Sequence, residues 1–368
     1  MNLPKASLAE FAMILQGGRH GLTGNDFVDN GYPAYGAGGL NGKLETYEFD
    51  QQAIILSSIG ARCGKCFLVK GKWTSLANTQ VIIPDPTNSD IRYIWYQLNN
   101  ESSWKRSGTA QPFIKPSDVK SRKVFFPKLS EQNRIANILE KGDSIRHNRQ
   151  EAIRLADEFL RSSFFEIFGD PNVNSKQLSE KPIRDIAKVT TGSTPSREVP
   201  NYYGNFIEWI KSDNINTPSH YLTKATEGLS EDGLRIGRSA PAGSTLITCI
   251  AGSPSCIGNA AFADRTVSFN QQINALTPKP GIEPEFLYAV TLYSKRRIQN
   301  ASTNSMKGMV SKGALEDVLF ILPAEDQREK FVKIFNKVMS LQNKLQASAK
   351  EAEMNFASLT QRAFNGEL

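Results

Sequence analysis

The chain has 368 residues, a net charge of +7 and an ordinary apolar and aromatic content. That length exceeds what one core usually fills, so two or more domains are expected. There is no membrane-length apolar run, no secretory signal in MNLPKASLAE, and too few cysteines for a disulfide scaffold, so a cytoplasmic protein is expected.

Residues 1–129 carry 15 Lys+Arg against 10 Asp+Glu. QQAIILSSIG and CFLVKG read as short β-rich runs between Gly, Pro, Asn and Ser clusters, with a helical piece in SDIRYIWYQLNN. Cys63 and Cys66 have the spacing of half a zinc site, but Cys249 and Cys256 do not supply the other half, so reduced thiols and no metal are expected. Residues 130–170 read as one long helix, with 6 basic against 8 acidic residues. Residues 171–323, opening with a short linker at 171–182, again read as mixed α+β. STLITCIAG and AAFADRTVSF are β-rich, and EPEFLYAVTLYSKRRIQN is helical. Residues 324–368 read as a second long helix. The positive excess falls on the two mixed segments, a pattern suited to two polyanion-binding domains with near-neutral spacers.

The segments repeat. A shift of 196 lays Pro127 on Pro323, Ile135 on Phe331, Ser144 on Ser340 and Phe168 on Phe364. Gln132 and Gln327 differ by 195, which implies a turn one residue shorter before the second helix. Upstream, LAEFAMILQGG resembles IRDIAKVTTGS at a shift of 175, and Asn78-Thr79-Gln80 resembles Asn270-Gln271-Gln272 at 192. Cys63 and Cys256 sit in similar turns at 193. The second copy therefore holds about twenty extra residues, expected within 211–240.

Both helices show a 3.5-residue repeat, which gives a seam that wants a partner helix. The expected seam is Ile135, Ile138, Ile145, Ala152, Ala156 and Phe159 in the first helix. In the second it is Phe331, Ile334, Val338, Leu341, Leu345, Ala352 and Leu359. Gly142, Arg149 and Asn355 interrupt it, so neither helix is expected to stand alone, and an antiparallel pair is expected. Each ends at a Phe with Gly just beyond, the usual helix stop.

Catalytic motifs are wanting. The Gly60–Cys66 stretch has three residues between its glycines and Cys after Lys65, where a phosphate loop needs four and Ser or Thr. Gly38–Leu44 fails likewise, and Gly36-Ala37-Gly38 lacks the third glycine of a dinucleotide loop. No Asn-Pro-Pro or Asp-Pro-Pro step precedes an aromatic residue, and a nuclease cluster around Asp85 rests on chance matches among many charges. Of the three histidines, His147 is expected to face solvent. Binding is favoured over catalysis.

PKLSEQNRIANILEKGDSI followed by a helix closing in FFEIFGDP resembles the conserved region of type I restriction–modification specificity subunits. LPAEDQREKFVKIFNKV closing in LTQRAFNGEL is similar to its second occurrence, and RSGTAQPFIKPSDVKSRKVFFP, YPAYGAGG and IEWIKSDNI resemble further family segments. The resemblance implies an α+β fold in which two target-recognition domains are joined by antiparallel coiled-coil helices in a pseudo-twofold repeat. Each domain would read one half of a split double-stranded DNA site, with the helices setting the gap. It further implies two modification subunits as partners, carrying S-adenosylmethionine, and restriction subunits using ATP and magnesium. It puts no cofactor and no catalysis on this chain. The short Gln turn and the polar seam positions depart from the family's pattern.

Loop residues able to pair with bases or phosphates are the candidate DNA contacts. In the first domain these are Tyr32, Tyr35, Arg62, Lys65, Lys105, Arg106, Gln111 and Lys115. In the second they are Lys211, Ser212, Asn214, Arg235, Arg238, Lys307 and Lys312. Asn78, Gln80, Asn270 and Gln272 recur in both copies, which argues for a structural role. Competing readings are a self-contained nuclease or methyltransferase, which needs a motif not found, and a coiled-coil scaffold with two binding domains, which would not show steep salt dependence.

Overall fold

The computed structural model describes residues 4–18, 21–22, 24–302 and 308–368. It divides into two compact units, one of Met1–Ala152 with Leu345–Leu368 and one of Ile153–Lys344. Both boundaries fall inside the long helices, α2 (Leu129–Phe168) and α4 (Glu325–Phe364), and not at their ends. The reason is burial. Ile135, Ala136, Leu139 and Ala363 are part of the first unit's core, so helical segments belong to the unit they complete.

In the first unit, β2 (Ala12–Gln16), β9 (Thr79–Pro84), β6 (Ala53–Ser57) and β7 (Cys66–Val69) form an antiparallel sheet in that order. β6 is buried at every position, which is why its sequence, AIILS, runs apolar without alternating. A second sheet has the order β4 (Gly39–Leu44), β3 (Tyr32–Gly36), β8 (Lys72–Ser75), β5 (Phe49–Asp50), with β3 and β8 parallel. β1 (Lys5–Ser7) and β10 (Lys123–Phe125) pair beside the start of α2. Helix α1 (Ile91–Leu98) packs on the first sheet, its N-terminus capped by the Asp90 carboxylate, which accepts from the N–H groups of Arg92 and Tyr93.

The second unit repeats this plan. β12 (Ala187–Thr191), β20 (Ile273–Pro278), β16 (Thr245–Thr248) and β18 (Ala260–Phe262) form one sheet. β14 (Gly228–Leu229), β13 (Tyr203–Ile210), β19 (Val267–Phe269) and β15 (Ser239–Ala240) form the other, with β13 and β19 parallel. β11 (Glu180–Pro182) pairs with β22 (Leu319–Ile321), and β17 (Ile250–Ala251) with β21 (Gly308–Met309). Helix α3 (Pro284–Tyr293) is the counterpart of α1. Gly17 and Gly192 occupy matching turns. A Cβ on either would come within 2.1 Å of Thr79 or Asn270, so only glycine fits.

Strand pairing fixes the internal alignment. Tyr35 corresponds to Ile210, a shift of 175, and Phe49 to Ala240, a shift of 191. Sixteen extra residues therefore lie within 211–239 of the second unit. Two sequence alignments are corrected. Gln80 corresponds to Asn274, and not to Gln272, because each pairs with the last residue of β2 or β12. Gln132 corresponds to Arg328, and not to Gln327. Both take their place four residues after a carbonyl acceptor, Lys128 or Ala324, so the second turn is not shortened.

The two long helices run antiparallel within each unit. In the first, Gly142 faces Phe356 and Leu359, and Arg146 bonds Glu353 at 3.3 Å. In the second, Asp157 meets Gln342, and Phe164 and Phe168 pack on Phe331 with ring centroids 5.3 and 5.6 Å apart. Burial along the expected seam is uneven. Ile135, Ala156, Phe331 and Val338 are buried, and Ile138, Ala152, Ile334, Leu345, Ala352 and Leu359 are half-buried. Ile145, Phe159 and Leu341 are at least half exposed, while Arg146, Leu160 and Gln342 turn inward in their place. Each helix packs against a domain as well as its partner, and that second contact rotates the buried face by about one residue. Gly169, at φ +75, ends α2, its N–H bonding the Phe165 carbonyl.

Candidate functional site

In the first unit three loops converge at one end of the sheets: the β3–β4 turn, Ser58–Lys65, and Trp104–Lys115. Gly60 N–H donates to the Pro112 carbonyl and Ile114 N–H to the Ser58 carbonyl. Ile59 and Phe113 form a bridge, and the Arg62 guanidinium donates to the Gly38 carbonyl at 3.1 Å. Beneath them the buried Gln80 amide donates to Ile114 O at 3.1 Å, a structural role. The loops of this cluster carry Arg62, Lys65, Lys105, Arg106, Gln111 and Lys115, though Lys65 lines a groove with Trp95 and Tyr96. Arg106 is held by Glu101, whose carbonyl accepts at 2.7 Å. Lys105 and Lys115 are exposed and form no ion pair among the described residues.

Two tyrosines are not part of it. Tyr35 packs against the core of Ala53, Ile55 and Trp73. Tyr32 begins β3, about 13 Å of strand from the turn, and stacks edge-on with Tyr47 beneath the Lys72 ammonium. The hydrogen bond to Tyr47, ahead of the fields of Tyr47 and Tyr32, raises the Lys72 pKa.

In the second unit the matching loops are Lys211–Asn216 and Cys249–Asn259, with β17–β21 in the place of the Ile59–Phe113 bridge. Asn214 is a correction. It is buried, its amide donates to Thr223 Oγ1 and Lys224 O, and its Oδ1 accepts from Lys211 N–H, so its side chain holds the loop from inside. Lys211 pairs with Glu227 and lies 5.3 Å from the Trp209 ring. Ser212 opens the same turn, half-buried. Arg235 is taken by Glu231 and Asp232 on its own helix, and Lys312 by Glu316. Arg238 is exposed and without an ion pair among the described residues. Lys307 lies outside the described residues.

One cation escaped the sequence reading. Arg197 sits 4.3 Å over the Tyr203 ring and 5.3 Å from Trp209, and shares Glu227 with Lys211. The hydrogen bonds from Lys211 and Arg197 hold the Glu227 carboxyl below its usual range. The signal available was an arginine in a turn-rich loop, GSTPSREVPN, ahead of an aromatic strand.

The arrangement can bind by backbone donors, cations and polar side chains. Among the described residues no cluster of His, Cys, Asp and Glu is suited to a metal. The cysteines are unpaired, and burial raises the thiol pKa of Cys63 and Cys66 and pushes that of Cys249 up to about 11. His220 bonds Asp157 and Tyr288, each at 2.8 Å, but the Tyr288 ring is buried, so this trio joins elements of the fold. No helix of the described residues is long and apolar enough to cross a membrane.

The type I restriction modification DNA specificity domain family matches residues 5–155 and 176–355. A stretch of 166 residues is 27% identical to the MjaIX type I restriction enzyme specificity subunit of Methanocaldococcus jannaschii, covering 44% of this chain and 38% of that protein. A stretch of 202 residues is 26% identical to the HindI specificity subunit of Haemophilus influenzae, covering 51% and 41%. The chain thus spans less than half the length of these curated relatives. Its fold is similar to the crystal structure of a type I restriction–modification S subunit from M. genitalium, with TM-score 0.64, 16% identity and coverage of 99% and 96%. It is also similar to a chain from a structure of type I R-M complex assembly and conformational transition, with TM-score 0.56, 15% identity and full coverage of both chains.

Proposed function

The chain belongs to the type I restriction modification DNA specificity family, and from that premise we propose that it is the DNA-reading subunit of a methyltransferase–endonuclease complex. Each unit's loop cluster reads one half of a bipartite double-stranded site. The observation that carries this is the repeat. The same two sheets present the same loops twice, while the loops differ in the residues that would choose bases. Corresponding sheet residues such as Gln80 and Asn274 are buried, which suits a structural role in both copies.

α2 and α4 each run unbroken from one unit into the other. In this reading the helix pair is the spacer between half-sites, and linked sites bind with a raised effective concentration when the spacing matches. Ile145, Leu155, Phe159, Leu341 and Met354 remain at least half exposed on these helices. We assign them to the docking of two modification subunits, which would hold S-adenosylmethionine. ATP and magnesium would belong to restriction subunits. The chain itself would act in the cytoplasm and without catalysis.

The test is co-expression with the neighbouring modification subunit, followed by mapping of methylated adenines. A split motif with a fixed gap is expected. Deleting or inserting a few residues in both helices should change the gap. A contiguous motif, or a gap unmoved by the helix changes, would sink the reading.

A further inference from the structure

The two units share an edge strand and close it differently. In an antiparallel pair alternate residues turn their N–H and C=O outward. In the first unit Ser57 N–H bonds Lys65 O and Gln51 N–H bonds Gly71 O, a register that turns Cys66 and Leu68 outward along β7. Cys66 is satisfied there. Its N–H donates to Asn99 Oδ1 and its carbonyl accepts from Trp95 Nε1, both at 3.1 Å. The outward N–H and C=O of Leu68 have no partner among the described residues, and its side chain is 42% exposed.

The counterpart of Leu68 is Phe262 on β18. There the extra residues of the second unit supply a strand. Phe262 N–H donates to His220 O at 2.8 Å, Leu222 N–H donates to Phe262 O at 3.1 Å, and Tyr221 bridges Phe262 in parallel. Side chains fasten the strand. His220 reaches Asp157 on α2 and Tyr288 on α3, and Arg265, paired with Glu208, donates to the carbonyls of Leu222 and Thr223. Among the described residues the first unit has none of this. Gly71 stands where Arg265 would be, Trp95 falls on Tyr288 when the N-caps Asp90 and Glu283 are aligned, and the described residues hold no counterpart of the segment. What remains is a groove of about 330 Å³ lined by Leu68, Trp95, Tyr96 and His147, with Glu140 paired to Arg92 at 2.8 Å and Asp143 to Arg146 at 2.6 Å.

We propose that this edge is a docking slot for an extended segment of a partner polypeptide, which joins β7 as a parallel strand as His220–Leu222 joins β18. The occupant's chemistry follows from the copy already filled. Backbone N–H and C=O pair with Leu68, and an apolar side chain covers the face of Leu68, Trp95 and Tyr96. Strand addition to an open edge is a general recognition mode, and an open apolar edge is otherwise a liability that proteins cover. The slot takes no part in the loop cluster assigned to DNA, so it stands or falls separately.

The probe is a fluorescently labelled peptide with the sequence of residues 216–224, NTPSHYLTK, added to the full chain. Saturable binding is expected, with a change in Trp95 emission. Leu68→Pro should weaken it by at least about tenfold, since an edge N–H is removed and the slot is blocked. Thermal unfolding of that variant checks that the fold is kept. N-methylating the peptide amide that pairs with Leu68 O should weaken binding similarly and leaves the protein untouched. No saturable binding, or binding indifferent to both changes, would overturn the proposal. So would a dimer in sedimentation that Leu68→Pro dissolves, because a second copy would then own the edge.

Discussion

Arg328 stands in the second unit where Gln132 stands in the first, one turn into the long helix and buried. Gln132 accepts from Asp90 N–H at 3.1 Å and donates to the carbonyls of Asn88 and Pro127 at 3.0 and 2.9 Å. Arg328 donates to Gly281 O at 3.1 Å and lies 3.4 Å from Glu283. Both lock the loop before α1 or α3 to the start of a long helix, one with a neutral amide and the other with a charge.

Removing that lock gives a register test. Gln132→Ala leaves a buried N–H and two carbonyls without partners, and is expected to lower stability by about 1–3 kcal/mol. Gln327→Ala, at the residue that matches by type and not by place, should change stability by no more than about 0.5 kcal/mol. Urea unfolding of the two variants decides. Equal losses would mean that the sequence register, and not the strand and helix register, is correct.

The helix seam gives a second contrast. A Cβ on Gly142 would sit 3.1 Å from Phe356 and 3.3 Å from Leu359, so Gly142→Leu overpacks the first unit and should cost about 1–3 kcal/mol. Ile145 is 54% exposed, and Ile145→Asn should leave the chain alone within about 0.5 kcal/mol. Circular dichroism melts separate the two. A large loss at Ile145 would restore the 3.5-residue seam.

These cases show what the sequence could carry. Long helices, their glycine stops and the duplication are local or periodic, so Phe168-Gly169 and the 196-residue shift were legible. The place of the extra residues was legible too, as a stretch without a counterpart. What that stretch does was not. The strand at Tyr221 exists because Asp157, Phe262 and Tyr288 meet it from far along the chain. At the site, Arg62 and Lys115 could be read as loop cations. Asn214 and Lys211 could not be told from them, because burial and the Glu227 partner appear only on folding.

The same strand carries a pH dependence. Burial raises the Asp157 pKa, but hydrogen bonds from His220 and Gln342 outweigh it and hold the carboxyl below 3.8. The Arg265 bonds hold Glu208 below 4.5. Both folded values are depressed, so the stability they add is complete above the unfolded values and is lost as pH falls through the folded ones. Residues 216–226 should therefore become open to pepsin as pH drops below about 4, before the rest of the second unit. Asp157→Asn with Glu208→Gln should open them already at pH 5. Protection unchanged by pH and by both substitutions would show that these carboxylates do not hold the strand.

The loop cluster is tested by salt. If Lys105 and Lys115 each neutralise one phosphate, replacing either with Ala should weaken DNA binding across sequences. It should also reduce the slope of log K against log salt by about 0.9. Arg62 is braced by the Gly38 carbonyl, and Arg62→Ala should instead relax base choice in the half-site read by the first unit. Asn214→Ala should act through the fold. Its burial and three hydrogen bonds predict a lower melting temperature, with DNA affinity falling only as folded protein is lost. Binding titrations at several salt concentrations, beside melts of each variant, distinguish these roles. Unchanged salt slopes for Lys105 and Lys115 would remove this loop end from the DNA surface. The exposed cations of other faces would then be the next to test.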